Sequence, residues 1–333
     1  TDKTAKVAKK VGAKVVTTKT NPSFKRYGIG KSNTLDYGLH CVPNWEKYDY
    51  LVIIDSDNEV SNNFLQRMND TINYYGNPEA VQAKLLSKKG TGIINQGLNV
   101  SFERANTFQQ VPENEYGCSS LYGTGFATNI SKVLVPIGGF RFKTLTEDAY
   151  EELDIIIKGG SVHFVPDATV TNENYSSFKQ ANRGITRWSR GTFSCLLHFF
   201  VPILVRLLYN PTIKKFHVLC RVSTLSKSLQ LLVMWGYWVY NYLWGPLLPQ
   251  PLTLLLYPEW VQKGLLMLSF VMTINIILLE SMYVLYPKYG LLVSLKMVIQ
   301  TYIFQLLYSI FNLVAVITFW KKKWVVSQHG KNR

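Results

Sequence analysis

The sequence predicts an α/β domain built on a mainly parallel sheet, followed by a C-terminal α-helical transmembrane region. Two observations predict it. Up to residue 190, short β-branched runs alternate with helix-length amphipathic segments, the pattern of strand–helix–strand units. Beyond that point the acids all but stop. Residues 1–190 hold 23 Lys and Arg against 19 Asp and Glu, a net +4, whereas residues 191–333 hold 13 against 2, a net +11, inside long apolar runs. A soluble surface needs both signs of charge along its whole length, and a disordered basic tail would not be this apolar. No nucleic-acid partner is expected, because the basic excess lies among apolar runs that would make a poor groove for phosphates. The expected division is therefore a cytoplasmic α/β domain over residues 1–190 and a membrane part over 191–333, an interfacial helix with three to four transmembrane helices.

Thr4–Val11 reads as the end of a helix and Ala13–Val16 as a short strand. Thr34–Cys41 has helical character, weakened by Gly38. Tyr50–Ile54 is a β-branched strand that stops at Asp55. Asn62–Tyr75 places Phe64, Leu65, Met68, Ile72 and Tyr75 at helical spacing. Asp148–Lys158 forms a helix that Gly159 and Gly160 end, and Ser161–Val165 forms the next strand. In the second half, Thr192–Leu208 is apolar but interrupted by His198, Pro202 and Arg206, so it lies in the interface or crosses. Leu229–Leu248, Gly264–Leu285 and Met297–Trp320 are each long enough to span a bilayer, with tryptophans in or beside them as interfacial anchors. Lys214, Lys215, Arg221 and Lys227 put the connecting segment on the cytoplasmic side. Three crossings then leave the C-terminus outside, while Lys321–Lys323 argue for inside. A re-entrant pair around Pro246, Pro249 and Pro251, or a crossing by Thr192–Leu208, would reconcile the two.

Cys41, Cys118, Cys195 and Cys220 follow no metal-ligand spacing and read as reduced, packed thiols. Thr1–Lys10 is polar and basic, without the pattern of a signal peptide. The missing initiator Met suggests a fragment.

The chemistry concentrates in three places. Asp55-Ser56-Asp57 follows a strand directly, which puts two carboxylates at the sheet's carboxyl edge, where ligands bind in α/β sheets. Hard oxygens of this kind suit Mg²⁺ or Mn²⁺, whose remaining ligands are commonly substrate phosphates. A solvated loop or a helix cap at Asp57 is the plainer alternative. Thr146-Glu147-Asp148 opens a helix that also carries Glu151, Glu152 and Asp154. Thr146 as a cap and the acids as partners of the helix dipole would explain the cluster structurally. A carboxylate serving as general base would explain it functionally. Asn182–Gly191 packs Arg183, Arg187, Arg190 and Trp188 just before the first apolar run. These residues make either a membrane anchor or a phosphate-binding arginine beside a flat sugar platform.

In this order the pieces resemble the membrane-bound, processive family 2 glycosyltransferases, the relatives of cellulose, hyaluronan, chitin and poly-N-acetylglucosamine synthases. Thr1–Ala8 looks like the end of the family's D-x-S-T-D-x-T-A stretch. Gly30-Lys31-Ser32-Asn33-Thr34-Leu35-Asp36-Tyr37-Gly38 resembles G-K-x-x-A-L-N-x-G. Asp55-Ser56-Asp57 matches D-A-D, Gly123-Thr124-Gly125 matches G-x-G, Leu145-Thr146-Glu147-Asp148 matches L-T-E-D, and Arg187-Trp188 matches the end of Q-x-x-R-W. The glutamine of that last motif falls on Gly184, with Gln180 nearby but out of register.

The resemblance implies a GT-A-like nucleotide-sugar-binding domain whose first strand precedes Thr1. It implies donor binding by Lys31, Asp55 and Asp57, with the metal on Asp57. Asp148 would be the catalytic base beside Glu147, and Gly123, Gly125, Arg187, Trp188 and Gln180 would hold the acceptor or product. The implied reaction is inverting transfer from a UDP-sugar, UDP-N-acetylglucosamine favoured over UDP-glucose, to a growing β-linked glycan. A membrane-lipid acceptor and a catalytically inactive membrane scaffold are the alternatives.

Overall fold

The computed structural model describes residues 3–17, 30–88, 90, 92–142, 144–175, 177–223, 236 and 258–321. The crossing expected at Leu229–Leu248 lies outside the described residues, as does the proline cluster after it. Helix α1 covers Thr4–Lys10 and α2 covers Lys31–His40. Ala13–Val16 forms no strand. Five strands make one sheet: β1 (Tyr50–Ile53), β2 (Glu59–Val60), β3 (Ala80–Ser87), β4 (Phe126–Asn129) and β5 (Val162–Asn172).

The sheet order is β1-β4-β3-β5-β2. Only β3 and β5 pair in parallel; the β1–β4, β3–β4 and β2–β5 pairs are antiparallel. The sheet is therefore mixed, not mainly parallel. The reason is β4, a short run after two glycine turns, which inserts in reverse between β1 and β3 and leaves those two strands pointing the same way. Strand β5 is longer than Ser161–Val165 because it continues past Pro166. The proline sits where the β3–β5 register slips between Ala83 and Lys84, and such an irregularity tolerates a residue that cannot donate to the ladder.

Side chains alternate across the sheet, as the pleat requires. Ile53, Ala80 and Phe126 point into one core with Phe140, Phe142 and Ile155. Their neighbours Val52, Val81 and Ala127 point into the other, against Phe64, Met68 and Ile72 of α3 (Phe64–Tyr74). Those three α3 residues recur every four positions, so one helix stripe covers that face. On the first face lies α6 (Glu147–Ile157).

From β3 the chain enters α4 (Ile93–Ala105), a π turn, and α5 (Val111–Glu115). The described residues of the C-terminal half form the helices α7 (Phe178–Tyr209), α8 (Ile213–Ser223), α9 (Glu259–Tyr289) and α10 (Leu291–Val316). Helix α7 runs through residue 190 without a break, so sheet domain and apolar region share one rod. Among the described residues, α7 and α10 are long and apolar enough to cross a bilayer. The stretch expected to cross at Gly264–Leu285 is part of α9, whose Glu280 accepts from Arg104 Nε of α4 at 3.0 Å. Lys288 and Glu103 pair between the same two helices at 2.6 Å.

Candidate active site

Strand β1 delivers Asp55 to the carboxyl edge of the sheet, and β4 starts there. Gly125 N–H donates to Ile53 O at 2.8 Å, and Asp55 N–H to Thr124 Oγ1 at 3.0 Å. The turn Gly123-Thr124-Gly125 is thereby stitched across the end of β1. Both glycines have positive φ, +74° and +66°, a backbone that side chains disfavour. At Gly125 space forbids one as well, since a Cβ would stand 2.5 Å from Val170 Cγ1. Gln82, wholly buried on β3, holds the turn from beneath by donating to Thr124 O at 3.0 Å and accepting from Tyr122 N–H at 2.9 Å.

Lys31, the first residue of α2, reaches over this turn. Its Nζ donates to Asp55 Oδ1 and to Gly123 O, each at 2.5 Å. The Asp148 carboxyl stands directly above Gly123, where an added Cβ would lie 3.2 Å from Asp148 Oδ2. Lys31, Asp55, Gly123 and Asp148, separated by up to 117 positions in sequence, meet at one sheet edge. Asp57 follows in the same turn beside Asn58, which donates to it at 3.3 Å and to Asn172 of β5 at 3.0 Å. Residues 50–321 match the family described as Glycosyl transferase family group 2. The chain belongs to that family. No curated protein shows significant similarity to it.

The protein is thus a glycosyltransferase, acting on a nucleotide-sugar donor and an acceptor, and its acids need reading in that light. Burial raises the affinity of both Asp148 and Glu147 for a proton. Glu147 is pushed further by the Asp148 charge, while Lys31 and Arg187 pull the other way on both. Asp148, made more basic in this manner yet partly open to solvent, has the chemistry of a proton acceptor.

Capping does not explain the cluster. Thr146 occupies the N-cap of α6 but its side chain makes no cap hydrogen bond; its hydroxyl faces Cys195 Sγ at 3.8 Å. Glu151 and Glu152, read from the sequence as acids favoured by the helix dipole, are buried. Thr128 Oγ1 donates to Glu151 Oε1 at 2.5 Å, and Glu152 accepts Leu121 N–H at 2.9 Å and pairs with Arg221 of α8. Arg221 also donates to Glu113 Oε2 at 2.8 Å and to Ser120 Oγ at 2.9 Å. This buried network ties α8 to the segment leading into the glycine turn.

Helix α7 carries Arg187, whose charge acts on Asp148 and Glu147, and Trp188, which packs with the cluster of Leu98, Ile185, Phe304 and Phe311. Arg187 Nη1 donates to Leu145 O at 3.3 Å, two residues before Glu147. Trp188 is half-buried, its ring 5.8 Å from that of Tyr175. Gln180 sits in the first turn of α7, its N–H donating to Ser177 Oγ at 3.3 Å. It stands seven residues before Arg187, about 10 Å along a helix. The intervening Gly184 is packed against Tyr175. Sequence reasoning missed Asn58, Gln82, Tyr175 and the Arg221 network. A polar Asn right after two strand-end aspartates was a signal it could have used.

Proposed function

We propose that this family 2 enzyme is an inverting, processive transferase at the membrane, moving sugar from a UDP-sugar to a growing β-linked polysaccharide. UDP-N-acetylglucosamine is favoured over UDP-glucose. The reading is carried by one observation: Asp148 stands over the Gly123 turn, beside the Lys31–Asp55 pair and the Arg187-anchored loop. The acceptor hydroxyl gives its proton to the Asp148 carboxylate as its oxygen bonds to the anomeric carbon from the face opposite the leaving group. The bond from that carbon to the diphosphate oxygen breaks, and UDP departs. Lys31 and Asp55 bound the donor side, and Arg187 supplies a fixed guanidinium for developing negative charge. Glu147 positions Asp148.

A divalent cation fits Asp57. Among the described residues there is no cluster of three or more metal-ligating side chains, but Mg²⁺ and Mn²⁺ need few protein oxygens when phosphates supply the rest. When bound, such an ion offsets charge on the departing diphosphate. The outward apolar faces of α7 and α10 support membrane residence, with the sheet domain on the cytoplasmic side.

A second reading, transfer of one sugar to a membrane lipid, is favoured by Gly184, which removes the side chain expected at the acceptor end. A donor screen on the protein in nanodiscs, followed by sizing of the product, separates the two. Long β-linked chains support the polymer reading; a single sugar extractable into organic solvent supports the lipid. Absence of UDP release with every donor contradicts both.

A further inference from the structure

Gly184 lies inside a helix with ordinary helical backbone, so no turn requires a glycine there. Glycine in a helix interior costs about 0.5–1 kcal/mol relative to alanine. What does require it is Tyr175. A Cβ at position 184 would stand 2.0 Å from the Tyr175 hydroxyl and 2.4 Å from Cζ. Gly184 sits one turn before Arg187 and Trp188, so the phenol is lodged on the face of α7 that presents those two residues.

The ring of Tyr175 packs with the cluster of Ile185, Phe304 and Phe311, and meets Trp188 at 5.8 Å and 47°. An aromatic corner with one hydroxyl at its edge matches a pyranose, which offers an apolar face for stacking and hydroxyls around its rim. The hydroxyl is also within electrostatic reach of Arg187 and Asp57, and burial keeps it protonated. It is therefore a neutral donor and acceptor at any working pH.

We infer that Tyr175 is an acceptor-binding, specificity-determining residue, whose hydroxyl hydrogen-bonds the terminal sugar stacked on Trp188. The assignment rests on the transferase reading of the site. It places the acceptor's end sugar on Trp188 and beside the edge of Tyr175, with its attacking hydroxyl toward Asp148. It also explains the absent side chain at position 184: the phenol occupies that volume.

The test compares the parent, Tyr175→Phe and Gly184→Ala in nanodiscs, using UDP-N-acetylglucosamine and UDP-glucose as donors. UDP release, product length and UDP affinity are read for each. Tyr175→Phe keeps the ring packing and removes one hydrogen bond, so product yield and length should fall about three- to tenfold. UDP affinity should stay within about twofold, as this bond is not to the donor. Gly184→Ala keeps the tyrosine but leaves its phenol no room, and should reproduce the loss. Parent-like products from both variants would overturn the assignment while leaving the transferase reading intact, and so would a loss confined to UDP affinity. No UDP release by the parent itself would overturn the transferase reading and this inference together.

Discussion

The Glu151 carboxyl lies wholly inside the interface between α6 and the sheet, with Thr128 on one oxygen and no partner for the other. Burial pushes its pKa from 4.5 up to about 8, with Asp148 and Glu147 adding to the effect. The folded state therefore keeps a proton that the unfolded chain releases above about pH 4.5. Stability is fully present below that value and declines as pH climbs through about 8, by an amount on the order of a few kcal/mol. Glu151→Gln mimics the protonated form. Thermal midpoints between pH 5 and pH 8 should fall less for this variant than for the parent; parallel curves would show that Glu151 is ionised in the fold. Asp57 gives a second residue-scale prediction. Asp57→Asn should weaken Mn²⁺-dependent UDP binding by at least about tenfold, since a hard cation loses its anionic oxygen, while binding without metal changes little. Calorimetry with and without Mn²⁺ decides it, and equal affinities would remove the metal from this residue.

Helix α4 shows how an element couples the sheet domain to the apolar helices. Gly97 lies against Phe304 of α10, where an added Cβ would stand 2.3 Å from the phenylalanine Cβ. Ser101 accepts from Gln305 Nε2 at 3.4 Å one turn later, and Arg104 meets Glu280 of α9. Gly97→Ala therefore forces the α4 and α10 backbones apart. It should cost about 1–3 kcal/mol, read as a lower thermal midpoint in detergent, and an unchanged midpoint would show that α10 does not rest on α4. The individual elements were legible in the sequence to different degrees. Helix α3 announced itself through Phe64, Met68 and Ile72, and β1 through its β-branched run ending at Asp55. Strand β3 did not, because Gln82 and Lys84 break its apolar run; the glutamine is there to hold the glycine turn. Strand β4 is four residues long, too short for periodicity, and the antiparallel pairing it imposes was hidden with it. Pro166 cut β5 short on paper because proline ordinarily ends a strand. The site was more legible than the sheet. The motifs that hold Lys31, Asp55, Gly123 and Asp148 could be read in the sequence, and these residues lie together at one sheet edge, whereas Tyr175 depends on a packing relation with Gly184 that no linear pattern carries.

At the scale of the whole molecule, the apolar region has two faces. The inner stripe of α10, Met297, Val298, Phe304 and Phe311, packs on the rest of the chain, while Leu292, Ile299, Ile303 and Ile310 point outward. The outer side of α7 carries Leu197, Val201, Val205 and Leu208 in the same manner. Apolar surface on this scale is covered by lipid or by other protein, and both helices have the length and apolar character to cross a bilayer. The continuous α7 rod carries Arg187 and Trp188 in its first half and this outward apolar face in its second. The proposed chemistry depends on a single proton acceptor, Asp148. The decisive measurement is sugar transfer by Asp148→Asn in nanodiscs, beside the parent, with UDP affinity measured on both. Transfer should fall by at least about a hundredfold, the usual worth of a general base, while UDP affinity stays within about twofold. Transfer at near-parent rate would contradict the account at its centre.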